Sequence, residues 1–362
     1  MSRFWATKMI VWLAVLFFVL ILVVLPLLTA VLIDFGRLPY SFSRYLLWIE
    51  NLQLVVLQIF LVVWVFFVGG CFASFLNVVA WRVPRGFSIL GSSHCPHCQT
   101  RLAFGDNLPI IGWWRNRGQC RSCAAPIALR YLIAEIVLGT VFLLLTAAEL
   151  ATGGGSLPLR PVDSMRGFTD FMLGPNWDLI RLLVFHLVLV STLFLFALIE
   201  MDGFRIPLAA YWFTLLIGLA VPIFWSDVLL ITWDGRFGAR ALTQGSLDKW
   251  LTLFAGAALG FLVGRGLPRL DPVSRQLCGF NLSLGLTLVG LFLGWQSVIS
   301  VALFWLGLWS VGNRIRLRVI RADARTESFD PVWNPNSCLM IASLVHLLSW
   351  RSQVAIFQFC VG

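Results

Sequence analysis

The chain has 362 residues, 59 % of them apolar and only 12 % charged, with 30 Phe, 17 Trp and a mean hydropathy of +0.87. That excludes a soluble globular protein, because no water-exposed shell can be built around so much apolar surface. The formal net charge of +10 raises nucleic acid as a partner. Single arginines beside apolar segments are topology signals instead, so the expected partner is the lipid bilayer and no nucleic acid.

Taken in order, the uncharged runs fit bilayer-spanning helices of about 20 residues. Trp12 to Ile33 comes first, within an N-terminal extension over residues 1–51. It is longer than the apolar core of a signal peptide and lacks a clean small-residue cleavage site, so it is expected as a retained anchor. A second span covers residues 52–81, and a basic loop fills 82–130. Residues 131–362 then supply Tyr131 to Ala148, Leu179 to Ile199, Pro207 to Trp225, Trp250 to Val263, Asn281 to Val311 and Ser337 to Trp350. Gly294-Trp295-Gln296 divides the overlong segment in two. The expected fold is all-α and polytopic, with about eight or nine transmembrane helices. Ala151 to Pro161, carrying Gly153-Gly154-Gly155, is expected as a flexible extracytoplasmic linker.

Charge orients these spans. Arg3 and Lys8 precede the first run, and the 82–130 loop holds Arg82, Arg85, Arg101, Arg115, Arg117, Arg121 and Arg130 against Asp106 alone. Arg314, Arg316, Arg318, Arg321 and Arg325 form another cluster. Alternating helices bring all three to one side, which positive charge assigns to the cytoplasm. The expected location is the inner membrane, multi-pass, with N-terminus and loop cytoplasmic.

Within the loop stand Cys95-Pro96-His97-Cys98 and Cys120-Arg121-Ser122-Cys123. Two CxxC knuckles present four thiolates for a tetrahedral zinc ion. Four thiolates leave no open position, so such a metal is structural. Two disulfides, or four unrelated thiols, are the competing readings; the reducing compartment expected for the loop disfavours the disulfides.

Around these knuckles the residues resemble a known family. Gly70-Cys71-Phe72-Ala73-Ser74-Phe75-Leu76-Asn77-Val78-Val79-Ala80-Trp81-Arg82-Val83-Pro84-Arg85-Gly86 is similar to the first signature block of bacterial type IV prepilin leader peptidases. His94-Cys95-Pro96-His97-Cys98, Asp106-Asn107-Leu108-Pro109, Arg117 to Ile127, Arg130-Tyr131 and Glu135 follow in that family's order. The resemblance implies an aspartic endopeptidase that removes the basic leader of pilin-like or pseudopilin precursors at the cytoplasmic membrane face. It implies a zinc-binding cysteine loop and, in many members, methylation of the new amine from S-adenosylmethionine. The first run has no counterpart in the usual family pattern.

The resemblance also implies two catalytic aspartates, because paired carboxylates share a proton and so divide base and acid roles. At the first position the chain has Ile199-Glu200-Met201-Asp202-Gly203-Phe204-Arg205-Ile206-Pro207, with Glu200 on the catalytic aspartate and Asp202 beside it. Counting back from Gly294-Trp295-Gln296 sets Gly279-Phe280-Asn281-Leu282-Ser283-Leu284 on the second motif, with Leu282 where the second aspartate belongs. Asp271, Asp323, Glu327 and Asp330 are too far along the chain to replace it. Glu200 and Asp202 read equally as a solvated helix end beside Arg205.

His186 and His346 are expected as hydrogen-bonded packing residues in apolar helices, and His94 and His97 as neighbours of the thiolates. Cys71, Cys278, Cys338 and Cys360 read as small buried hydrophobes. Asn77 and Glu135 must be paired within the membrane, and either can line a substrate groove. Three functions stay open: a working peptidase, a non-catalytic member that binds pilin-like helices for assembly or export, and a membrane anchor whose zinc loop docks a cytoplasmic partner.

Overall fold

The computed structural model describes residues 40–158, 162, 167, 174–225, 228–230, 246–267, 278–322 and 334–361. The anchor expected at Trp12 to Ile33, Asp271, Asp323, Glu327 and Asp330, and the end of the Arg314 to Arg325 cluster, lie outside them. Every long element is helical. In chain order these are α1 (Tyr40–Arg82), the short α2 (Ile111–Arg115), α3 (Leu129–Thr146), α4 (Trp177–Met201), α5 (Leu208–Phe224), α6 (Ser246–Gly266), α7 (Cys278–Leu293), α8 (Trp295–Ala322) and α9 (Pro335–Val361). The chain divides into two units, Met1–Trp64 and Val65–Gly362. Described residues of the first are the N-terminal part of α1, with Phe60 stacked on Trp64. The second holds all the other helices.

Five helical segments are long and apolar enough to cross a membrane: Leu52–Arg85, Leu129–Ala151, Trp177–Met201, Trp295–Arg314 and Pro335–Ala355. Leu208–Phe224, Trp250–Gly266 and Phe280–Leu293 are shorter apolar helices. The protein is therefore all-α and multi-spanning. α4 is the central post, with Leu189, Leu193, Phe196 and Ile199 fully buried. By contrast, α5 turns Trp212, Phe213, Leu216 and Phe224 outward. Apolar side chains facing out are what a lipid solvent favours.

Between apolar helices in lipid, close backbone approach replaces the hydrophobic driving force. α6 and α7 achieve it through glycine: a Cβ at Gly256 would stand 2.2 Å from the Gly290 carbonyl oxygen. α7 and α8 are separated at Gly294, whose φ of +85° lies in the left-handed region that glycine adopts without steric cost. The overlong segment thus divides where its sequence predicts.

The turn after α3 differs from expectation. Ala147–Ala151 is a π-helical turn, and Leu157 beyond it is fully buried. The Arg351 backbone N and Nε donate to the carbonyls of Ser156 and Leu157 at 3.0 and 2.9 Å. Its glycines serve a packed turn, with Gly153 and Gly154 at positive φ.

Candidate functional site

The two knuckles repeat one local design. Cys95 N bonds the Thr100 carbonyl and Gln99 N bonds that of Cys95; Cys120 N bonds Ala125 and Ala124 N bonds Cys120 in the same pattern. Gln99 and Ala124 occupy equivalent places, both at φ 56°. Isolated bridges, His94 with Arg101 and Gln119 with Pro126, close the two turns.

This brings the four Sγ atoms within 4.8 Å of one another. Cys95 faces Cys123 at 3.8 Å and Cys98 faces Cys120 at 3.9 Å. A tetrahedron with Zn–S bonds of about 2.3 Å has edges of about 3.8 Å. Disulfide sulfurs stand about 2.05 Å apart, and all four cysteines are free thiols. Thr100, through its hydroxyl and then its amide, lowers the Cys98 thiol to about 6. The amides of Cys123 and Ser122 lower Cys120 as well. These two shifts favour thiolates at Cys98 and Cys120, whereas at Cys123 the lowering by the Ala125 amide is outweighed by burial and the three neighbouring thiols, which push it up to about 12. The donor set and spacing suit a metal ion, and His94 instead bonds Ser92 Oγ at 3.2 Å.

Asp106 organises the remainder of the loop. It accepts from Ala103 N at 3.2 Å, Arg115 Nη2 at 3.3 Å and Asn116 Nδ2 at 3.1 Å. Glu135 on α3 accepts from Ile110 N at 2.6 Å and so ties the loop to the bundle. Between loop, α1 and α3 lies a cavity of about 720 Å³, whose lining includes Asn77, Trp81, Trp113, Tyr131 and Glu135. The Asn77 Nδ2 donor there is buried without a partner.

Residues 199–204 end α4 in a Schellman cap. Phe204 N donates to the Ile199 carbonyl at 3.2 Å and Gly203 N to that of Glu200 at 2.9 Å, with Gly203 at φ +75°. This turn sends its two acids different ways. Asp202 pairs bidentately with Arg130 at the start of α3 and lies 3.8 Å from Arg85 after α1. Glu200 turns inward: Oε1 accepts from Asn281 Nδ2 at 3.4 Å, and Oε2 from Asn336 N at 3.0 Å and Asn336 Nδ2 at 3.1 Å. Asn281 Oδ1 in turn accepts from Ile206 N at 3.3 Å.

Leu282, at the expected second acidic position, is fully buried in the apolar cluster. The side chain from α7 that reaches Glu200 belongs to its neighbour Asn281. The sequence sets Asn281 beside the second acidic position without a role and offers no role for Asn336. Its signal is an Asn-Pro-Asn run opening a helix, where amide side chains serve as caps.

Comparison with known proteins addresses both halves of this arrangement. A model of the family described as the bacterial peptidase A24 N-terminal domain matches residues 67–148, the stretch from α1 through the cysteine loop to α3. A prepilin leader peptidase/N-methyltransferase of Myxococcus xanthus (strain DK1622) is 30 % identical over 270 residues, covering 74 % of this chain and 66 % of that one. Its namesake in Klebsiella pneumoniae is 24 % identical over 240 residues, covering 64 % of this chain and 85 % of that one. A type 4 prepilin-like proteins leader peptide-processing enzyme of Escherichia coli O78:H11 is 37 % identical over 97 residues, 21 % of this chain and 36 % of that one. The chain thus spans about two thirds or less of the first two matched relatives' length, 66 % and 36 %. No solved structure matches it. With the paired knuckles, Glu135 and the α4 turn in their expected order, the chain is a divergent member of the bacterial prepilin peptidase family.

Proposed function

We propose that this protein binds pilin-like membrane peptides at the cytoplasmic face without cleaving them, its cysteine loop held by a structural zinc ion on Cys95, Cys98, Cys120 and Cys123. The observation that carries this reading is the clamp on Glu200. Proton-shared hydrolysis needs a second carboxylate beside the first. Among the described residues Glu200 instead meets amide groups of Asn281 and Asn336, so its carboxylate joins α4, α7 and the start of α9, while Asp202 is committed to Arg130 and Arg85. The substrate class follows from the relatives, whose names describe processing of prepilins.

The test is co-expression with a pilin-like precursor. The precursor should keep its leader on a gel, yet co-purify with the protein and crosslink beside the cavity. Efficient removal of the leader, abolished by Glu200→Gln, would overturn the reading.

The cavity supports a second reading, methyl transfer without proteolysis. Its volume of about 720 Å³ and its aromatic lining suit a nucleoside-sized molecule. The buried Asn77 donor offers one unused hydrogen bond to it. S-adenosylmethionine supplies a methyl group when bound. Trp81 and Tyr131 would flank it and Asn77 would orient it. Such a protein must receive an amine already freed by another peptidase, since leader cleavage is what creates that amine. Radiolabel transfer to a processed pilin, but not to its precursor, distinguishes this reading from simple binding.

A further inference from the structure

Two ties to the bundle set how deep the cysteine loop sits. The Leu129–Ala151 span has 23 residues, about 34 Å of helix, against a hydrocarbon core about 30 Å thick. Little is left over, so its first turn stands at the membrane surface. Arg130, paired with Asp202, marks that level, and Glu149, 2.7 Å from His186 Nδ1, lies near the far end. Glu135 is five residues inward of Arg130, about 7.5 Å along the axis, and it accepts from Ile110 N. A Cβ on Gly70, twelve residues before Arg82 on α1, would stand 3.4 Å from the Pro109 side chain and 3.7 Å from the Glu135 carbonyl oxygen. Pro109 and Ile110 therefore lie below the surface, beside two spans.

Backbone that enters the apolar zone must satisfy its own polar groups, and this turn does. Beyond the Ile110 bond to Glu135, Ile111 N meets the Pro109 carbonyl at 2.5 Å, Gly112 N that of Leu108 at 2.8 Å and Trp114 N that of Ile110 at 3.1 Å. Ile110 has φ +62°, a left-handed value that a β-branched side chain disfavours. The descent is thus imposed by its neighbours rather than by local preference. In α2, Gly112 packs on Asp106, where a Cβ would stand 2.4 Å from the carbonyl oxygen. Trp113 Nε1 turns to the Ile127 carbonyl at 3.3 Å. Ile111 and Trp114, about one turn apart, face outward instead, 53 % and 70 % exposed. Phe104, whose neighbour Gly105 lies against the Arg115 guanidinium, is 85 % exposed.

Lipid is what surrounds a protein at that depth, and these side chains suit it. We propose that α2 and the turn before it form a wedge in the bilayer leaflet on their own side, with Ile111 and Trp114 among acyl chains and Arg115 and Arg121 at anionic phospholipid headgroups. Interfacial elements sink their apolar side about 5–10 Å, the depth that Glu135 sets. Tryptophan concentrates at that boundary, and long arginine stems carry their charge back to water. Arg115 and Arg121 share one carboxylate, that of Asp106, at 3.3 and 3.8 Å, so net positive charge remains for phosphates. The segment after α1 repeats the arrangement. Arg82 Nη1 donates to the Ser88, Ile89 and Leu90 carbonyls at 3.3, 3.4 and 3.5 Å, which holds the exposed Ile89 and Leu90 beside the last turn of that span. Both ends of the loop stay on one face, and the wedge is independent of what the protein binds or cleaves.

The test uses the full-length protein in mixed phosphatidylcholine and phosphatidylglycerol vesicles, with benzoylphenylalanine replacing Phe104, Ile111 or Trp114 in turn. Irradiation should attach acyl chains at 111 and 114, as it should at the outward Phe213 of α5. At 104, phosphatidylglycerol adducts should exceed that lipid's share of the bilayer about 5-fold, and Arg115→Gln combined with Arg121→Gln should remove the excess. Adducts to a second polypeptide, no lipid at 111 and 114 while position 213 labels, or an excess that survives loss of both arginines would each overturn the wedge. Brominated phospholipid should also quench more fluorescence in the unmodified protein than in Trp114→Phe, a conservative change at an exposed site. Equal quenching would overturn the wedge even where a labelled variant fails to fold.

Discussion

Glu200 and Asn336 are joined twice, the backbone N and the side-chain Nδ2 of Asn336 both donating to Oε2, at 3.0 and 3.1 Å. The carboxylate meets the first turn of α9, where free N–H groups and the helix dipole attract negative charge. Hydrogen bonds to an ionised group contribute about 1.5–3 kcal/mol each. Glu200→Ala is therefore expected to destabilise the protein by about 3 kcal/mol, with Glu200→Gln intermediate, read from unfolding in mixed micelles. Unchanged stability in both variants would make Glu200 a group free for catalysis.

Restoring a dyad should depend on which side chain of α7 is changed. Asn281→Asp is nearly isosteric and brings a second carboxylate to a position 3.4 Å from Glu200 Oε1. Proton sharing between them is then available, and slow leader removal from a pilin-like precursor is the expected gain. Leu282→Asp puts a carboxylate into an apolar cluster, and an uncompensated buried charge costs about 3–5 kcal/mol. That variant should accumulate poorly and remain inactive. Cleavage by Leu282→Asp with none by Asn281→Asp would reverse this assignment.

The thiol tetrahedron predicts one zinc per chain in protein purified without chelators. Removing it should release the loop, because binding free energy in so small a unit is folding free energy. Trypsin should then cut at Arg101, Arg115, Arg117 or Arg121 at least 10-fold faster, while the helices stay intact. Equal protection with and without metal would mean that Asp106 and its partners suffice.

The Arg130–Asp202 pair fixes the ends of α3 and α4 on one membrane face. Reporter fusions after Arg117 and Arg205 should therefore agree with each other, and both should read cytoplasmic. A fusion after Gly154, one span away along α3, should read the opposite. A split result for the first two would dissolve the pair.

Hydropathy and cysteine spacing made much of this architecture legible. Apolar runs marked α3, α4 and α5, a glycine marked the break before α8, and paired CxxC motifs marked the knuckles. These are local signals, each carried by residues adjacent in sequence. The site chemistry was less legible because it is assembled from distant segments. Asn336 is 136 residues from Glu200, and Glu149 is 37 from His186. Hydropathy marks such polar residues only as exceptions and says nothing about which partner each will find. Counting along the chain set Leu282 on the acidic position. It could not report that the helix turns Asn281 toward Glu200 and Leu282 into the core.

Asp202 meets Arg85, just beyond α1, and Arg130, at the start of α3, so one carboxylate holds the loop at both of its ends. Tethers at both ends favour a chamber whose shape is set before contact. Discrimination would then rest on the outline of the arriving molecule rather than on closure around it, and little ordering remains for the protein to undergo when it binds. Charge reversal at Asp202 should free the loop and trade selectivity for faster exchange.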